Sequence, residues 1–134
     1  MINILTFAII RDIAFYLFHP VIAAHECYYM YWGNNLKIKY YDHPFITGLL
    51  SSYTQKNNIY IKRLPYLILT ILTNILVYLI YDKILIDQQN KLNCFFLYTL
   101  LDNPYPIATV DKPFKFMWIY GIYTSLNIIQ TKSN

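Results

Sequence analysis

Residues 64–81 carry no charge, and the run LPYLILTILTNILVYLIYDKILI stays apolar to Ile86 apart from Asp82 and Lys83. At a rise of about 1.5 Å per residue, 64–81 reaches about 27 Å as a helix, close to the thickness of a hydrocarbon core. The pattern predicts a membrane-spanning helix over about 65–86. Pro65 suits a first helical position, and Lys62 and Arg63 suit a headgroup layer. The helical period gives this segment two unlike sides. Tyr66, Thr70, Thr73, Asn74, Val77 and Tyr81 fall on one, while Ile68, Ile71, Leu72, Ile75, Leu76 and Leu79 fall on the other. Small and polar residues let helices approach closely, so Thr70, Thr73 and Asn74 are candidate packing positions and the bulky side is left for lipid.

Ahead of it, residues 2–32 form a long apolar tract interrupted by Arg11-Asp12 and by Pro20. Two parses are open. One helix can start at an N-capping Asp12, run to Trp32 and kink at Pro20; alternatively, one helix ends near Phe18 and another begins at Pro20. The first is preferred, because about 20 residues follow the cap and a proline is tolerated inside a membrane helix. The start MINILTFAII lacks a positive leader region, so a cleaved secretory signal is not expected.

Residues 33–63 change character. GNNLKIKYYDHPFITGLLSSYTQKNNIYIKR is polar, punctuated by Gly33, Pro44 and Gly48, and holds five of the eleven basic residues. It reads as a basic loop outside the hydrocarbon, with LKIKYY and NIYIKRL able to pair as a short hairpin. No glycine or proline lies between Pro65 and Pro104, so the central helix can extend as far as Leu101. The proline-rich loop at 102–112 ends it. A last apolar run over 113–129 makes a short or tilted span on which Gly121 and Ser125 offer a small face to another helix.

Composition sharpens the picture. With 57% hydrophobic and 13% charged residues, the chain has too much apolar surface for an ordinary soluble domain of 134 residues. The expectation is an all-α integral membrane protein, a single membrane domain over 1–134 with two to three transmembrane helices. The net charge of +4 is spread over few, scattered cations, which suits topology and lipid headgroups; no nucleic acid is expected, and a ribosomal role is the alternative. Cys27 and Cys94 have no metal-type spacing and read as buried free thiols, with a disulfide between them the other option.

Candidate chemistry is confined to a few ionisable residues. On a single helix over 12–32, Asp12, His19 and Glu26 recur every seven residues and form a polar stripe. Ionisable groups at membrane depth are costly unless paired or hydrated, so Asp12, His19, His25 and Glu26 are candidates for a proton path or for contacts to a partner subunit. Haem or metal ligation by His19, His25, Glu26, Cys27 or His43 is a further possibility. However, His25, Glu26 and Cys27 point about 100° apart around a helix and cannot converge on one metal. No catalytic residue, cofactor site or metal site is expected; there is no phosphate loop, paired-cysteine signature or nucleophile elbow.

The bias to Ile, Asn, Lys, Tyr and Leu in TQKNNIYIKRL and YDKILIDQQNKLNCFFLYTLL resembles proteins translated from very AT-rich organellar DNA. The whole chain is similar in style to the small, divergent membrane subunits encoded by protist mitochondria, those of ciliates especially. That resemblance implies an accessory subunit of a respiratory-chain complex in the mitochondrial inner membrane. NADH dehydrogenase (complex I) comes first, then cytochrome c oxidase or ATP synthase, with neighbouring membrane subunits and lipid as partners. The chain departs from the small core subunits of complex I: it lacks their pair of intramembrane glutamates and their cysteine-bearing loop.

Overall fold

The computed structural model describes residues 4–19, 24–37, 45–52, 58–102 and 109–132. These residues form helices and no strand: α1 (Ile4–Phe18), α2 (Ala24–Asn34), α3 (Phe45–Ser52), α4 (Ile59–Ile84), α5 (Gln88–Leu101) and α6 (Asp111–Lys132). The fold is all-α.

Several boundaries differ from those the sequence suggests. The expected single helix over 12–32 is two helices, α1 ending at Phe18 and α2 starting at Ala24, which is the second of the two parses. Asp12 is consequently no N-cap. It lies inside α1, a helix that begins at least eight residues earlier because Ile4–Ile10 is itself helical rather than interfacial coil. Residues 58–64, expected as one strand of a hairpin, are the cap and first turns of α4. Of LKIKYY, residues 38–41 lie outside the described residues, as do Pro20, His43 and Pro44.

The start of α4 is set by Asn58, whose side-chain oxygen accepts from the Tyr60 backbone N–H at 2.9 Å, satisfying one of the orphan donors of the first turn. Pro65 therefore sits inside the helix and not at its first position. The far end stops without glycine or proline. Leu85 turns extended with its N–H on the Tyr81 carbonyl, and Asp87 caps α5 by accepting from the Asn90 N–H at 3.0 Å. A continuous helix to Leu101 is thus replaced by a break at residues 85–87 and a separate α5.

That break folds α5 back along α4. Lys91 pairs with Asp82 at 2.8 Å, and Phe95 stands edge-on to Tyr78 with ring centroids 5.4 Å apart. α1 also runs against the direction of α4, while α6 runs with it: Ile119 packs near Val77, and Lys83 donates to Gln130 Oε1 at 3.0 Å. Ala8 of α1, Val77 of α4 and Phe95 of α5 meet in a small core ringed by Ile4, Leu5, Tyr78 and Ile119.

A second unit forms beneath, where α2 packs on α3. Gly33 makes this possible, because a Cβ there would stand 2.6 Å from the Ser51 backbone carbon. Only a residue without a side chain admits so close a backbone. The pair is tied to α4 by Tyr66, whose hydroxyl is 2.9 Å from Ser51 Oγ and donates to the Thr47 carbonyl at 3.1 Å.

The distribution of polarity is inverted relative to a water-soluble bundle. Asp12, Glu26, Arg63, Thr70, Thr73, Asn74 and Thr99 are buried. Phe18, Leu100, Leu101, Phe114, Met117, Trp118 and Ile129 are all more than half exposed. Among the described residues, one helix, α4, is long and apolar enough to cross a membrane. The expected second and third spans do not match it: α1 is only 15 residues long, and α6, at 22 residues, is diluted by tyrosine, threonine, serine and asparagine.

Candidate functional site

Two polar assemblies lie on one side of α4. Arg63, Tyr66, Thr70, the adjacent Thr73 and Asn74, and Val77 follow the helical repeat and are all buried, so they form a single stripe along the helix. Thr70 and Thr73 close their hydroxyls onto the Tyr66 and Leu69 carbonyls one turn back, at 2.9 and 2.7 Å. Their polarity is thereby spent within the helix, leaving their methyl groups for packing.

At the lower end of the stripe, Arg63 meets Glu26 of α2. Nε donates to Oε1 at 2.7 Å and Nη2 to Oε2 at 2.5 Å, with both side chains fully buried. Nη1 donates to the His19 carbonyl at the end of α1. One guanidinium thus joins the ends of three helices. Its planar fork matches a carboxylate in two parallel bonds, which an ammonium group cannot do.

Eleven residues up α4, about 16 Å along the axis, Asn74 Nδ2 donates to Asp12 Oδ2 at 2.6 Å. Arg11 supports the other carboxylate oxygen, with Nε at 3.1 Å and Nη2 at 2.8 Å from Oδ1, and donates from Nη1 to the Thr99 carbonyl of α5. Asn74 Oδ1 finds no hydrogen-bond partner among the described residues.

This upper assembly continues to the junction of α5 and α6. Lys115 pairs with Asp102 and lies 4.9 Å from the Tyr98 ring centroid, a cation–π contact. Lys112, just before the apolar run of α6, is pushed below the ordinary lysine value by burial, with Lys115 and Arg11 adding to the effect and Asp102 and Asp12 opposing it. Arg11, Asp12, Asp102, Lys112 and Lys115 therefore form one charged group with three cations and two anions.

The residues singled out from the sequence are distributed as follows. Asp12 and Glu26 are both buried, but on different helices, so the stripe imagined on one helix does not exist. His19 follows α1, and His25 is exposed on α2. Cys27 is exposed and Cys94 half-buried, both as free thiols, which corrects the expectation of two buried sulfurs. Gly121 and Ser125 are exposed on α6; Ser125 Oγ donates to the Gly121 carbonyl at 2.8 Å, and a Cβ on Gly121 would meet nothing within 4 Å. No three of His, Cys, Asp and Glu gather as metal ligands among the described residues.

Sequence reasoning placed Arg63 in a headgroup layer and overlooked its role. The signal was present: Arg63 stands three residues before Tyr66 on the same polar stripe. Arg11 adjoins its carboxylate partner Asp12, but its bond to the Thr99 carbonyl 88 residues away, and the Lys115–Asp102 pair 13 residues apart, could not be found this way.

The architecture is that of a small all-α protein with a paired, polar interior and an apolar exterior. No protein-family model, curated protein or solved structure matches the chain.

Proposed function

We propose that the chain is an accessory membrane subunit of a respiratory-chain complex in the mitochondrial inner membrane, with NADH dehydrogenase the first candidate. The observation that carries the membrane part is the inversion of polarity: buried carboxylates answered by arginines around α4, and exposed Phe, Leu, Ile and Trp on α1, α5 and α6. In hydrocarbon, ionisable side chains turn inward and pair, and bulky apolar ones turn outward. The assignment to a respiratory complex rests on the compositional resemblance alone.

An accessory role is favoured over proton transport by the state of the carboxylates. Both oxygens of Glu26 are taken by Arg63, and both oxygens of Asp12 are held by Arg11 and Asn74. Groups held in this way brace helices against one another. The exposed faces of α5 and α6 are then covered by lipid and by neighbouring subunits.

The test is to tag the carboxyl terminus, solubilise the membranes in mild detergent and identify the complex with which the chain migrates on a native gel. Migration with NADH dehydrogenase activity is the expected result. Migration with oxidase or ATPase activity moves the subunit to those machines. Release by carbonate extraction, or sedimentation with ribosomes, overturns the membrane reading.

A further inference from the structure

We propose that α2 and α3 lie in the headgroup–acyl boundary of the bilayer at the Arg63 end of α4, with the tyrosine face of α2 against lipid. The placement rests on the membrane reading above.

Depth comes from two contacts with α4. Leu64 opens the uncharged run 64–81, and Arg63, the residue before it, holds Glu26 in the first turn of α2. Tyr66, about 3 Å beyond Leu64 along the axis, bonds to Ser51 and to the Thr47 carbonyl of α3. Both helices are fastened at the level where the apolar run begins. With that run set across the hydrocarbon, this level is one of its two boundaries.

The outer side of α2 has the chemistry of such a boundary. Successive helical residues turn by about 100°, so Ala24, Cys27, Tyr28 and Tyr31 share a face, and all four are exposed. The opposite face, with Glu26, Tyr29, Met30 and Gly33, is buried. No Asp, Glu, Lys or Arg occurs between Glu26 and Lys37. A helix face turned to water ordinarily carries charge. This one instead offers rings with hydroxyl tips, which seat their bodies among acyl chains and their polar ends among headgroups.

The neighbouring surface agrees. Phe45 and Ile46 at the start of α3 and Leu64 on α4 add exposed apolar side chains at the same end. Among the described residues of α2, α3 and 58–66, Glu26 is the one carboxylate, and it is buried on Arg63. No exposed acid in these segments repels lipid phosphates.

The experiment uses the full chain reconstituted in phosphatidylcholine vesicles and spin-labelled at single cysteines. Cys27, native and exposed on the tyrosine face, is labelled in a Cys94→Ser variant. Three further sites are labelled with Cys27→Ser and Cys94→Ser in place. Tyr31→Cys is a second position on the face. Leu72→Cys, exposed and about 12 Å beyond Leu64, is the deep reference, and Ile86→Cys, fully exposed past the end of α4, is the aqueous one. Depth is read from relaxation by molecular oxygen, which concentrates in hydrocarbon, against relaxation by a water-soluble nickel chelate.

The expected order is oxygen-dominated at Leu72→Cys, nickel-dominated at Ile86→Cys and intermediate at Cys27 and Tyr31→Cys. A Cys27 label as open to nickel as the one at Ile86→Cys puts the face in water and overturns the proposal. A Cys27 label shielded from both probes puts protein on the face, with the same result. Cys27 needs no change within α2, so the test stands even where Tyr31→Cys misfolds. A Leu72→Cys label open to nickel removes the membrane reading, and the interfacial placement with it.

Discussion

Arg63 of α4 grips both carboxylate oxygens of Glu26 from α2, at 2.7 and 2.5 Å, across 37 residues of sequence and with neither side chain exposed. Such a pair adds little net stability when complete, because desolvating two charges offsets most of their attraction. Losing one partner strands the other, at a cost of about 3–5 kcal/mol.

Glu26→Ala should therefore unfold the α2–α3 unit from α4, with a loss of that size in detergent. The double variant Glu26→Leu with Arg63→Met should recover most of it. Thermal melts followed by circular dichroism across the double-mutant cycle check this; a double variant as unstable as Glu26→Ala would refute the pairing as the cause.

Asn74→Ala removes the donor to Asp12 Oδ2 and should cost about 1.5–3 kcal/mol, the range for hydrogen bonds to charged groups. Asn74→Asp should be worse, since it sets a second carboxylate against Asp12. Melting temperatures of the two variants in the same detergent give the order.

The two helical glycines make opposite predictions. Gly33→Ala drives a Cβ to 2.6–2.8 Å from the backbone of Ser51 and Ser52, so it should destabilise the chain by about 1–3 kcal/mol. Gly121→Ala meets nothing and should be neutral or gain up to about 1 kcal/mol from helix propensity. If a neighbouring helix docks on α6 in the assembled complex, Gly121→Leu should leave the isolated chain stable and still reduce its incorporation on a native gel.

Lys112 gives a pH signature. Unfolded, it titrates at the ordinary value of 10.5; folded, burial lowers it, so between the two values the unfolded chain binds more protons and stability rises with pH. Chemical denaturation at a series of alkaline pH values, short of tyrosine ionisation near about 10, should show that rise, and Lys112→Met should flatten it.

The helical class was readable from hydrophobic spacing, and so was the division of α4 into a small polar side and a bulky one. The break at residues 85–87 was not. Nothing there forbids a helix, and the stop comes from Asp87 preferring to cap α5. α3 was hidden because its eight residues, FITGLLSS, are too few for a periodic signal and lie in a polar stretch. For the site, Asp12 and Glu26 stood out as acids in an apolar tract, whereas their distant partners did not: Arg63 adjoins Lys62 and looks like a surface pair, and Asn74 lies 62 residues from Asp12. Long-range pairing is a property of topology, and local pattern does not encode it.

Because α1 and α5 run against α4 while α6 runs with it, Ile4, the turn at residues 85–87 and Lys132 all arrive at the same end of the bundle. If α4 crosses a bilayer, these three points share a compartment. Impermeant labelling of a cysteine placed at the fully exposed Ile86 and protease access to either terminus would then report one sidedness, opposite to the end at which Arg63 ties α1 and α2 to α4.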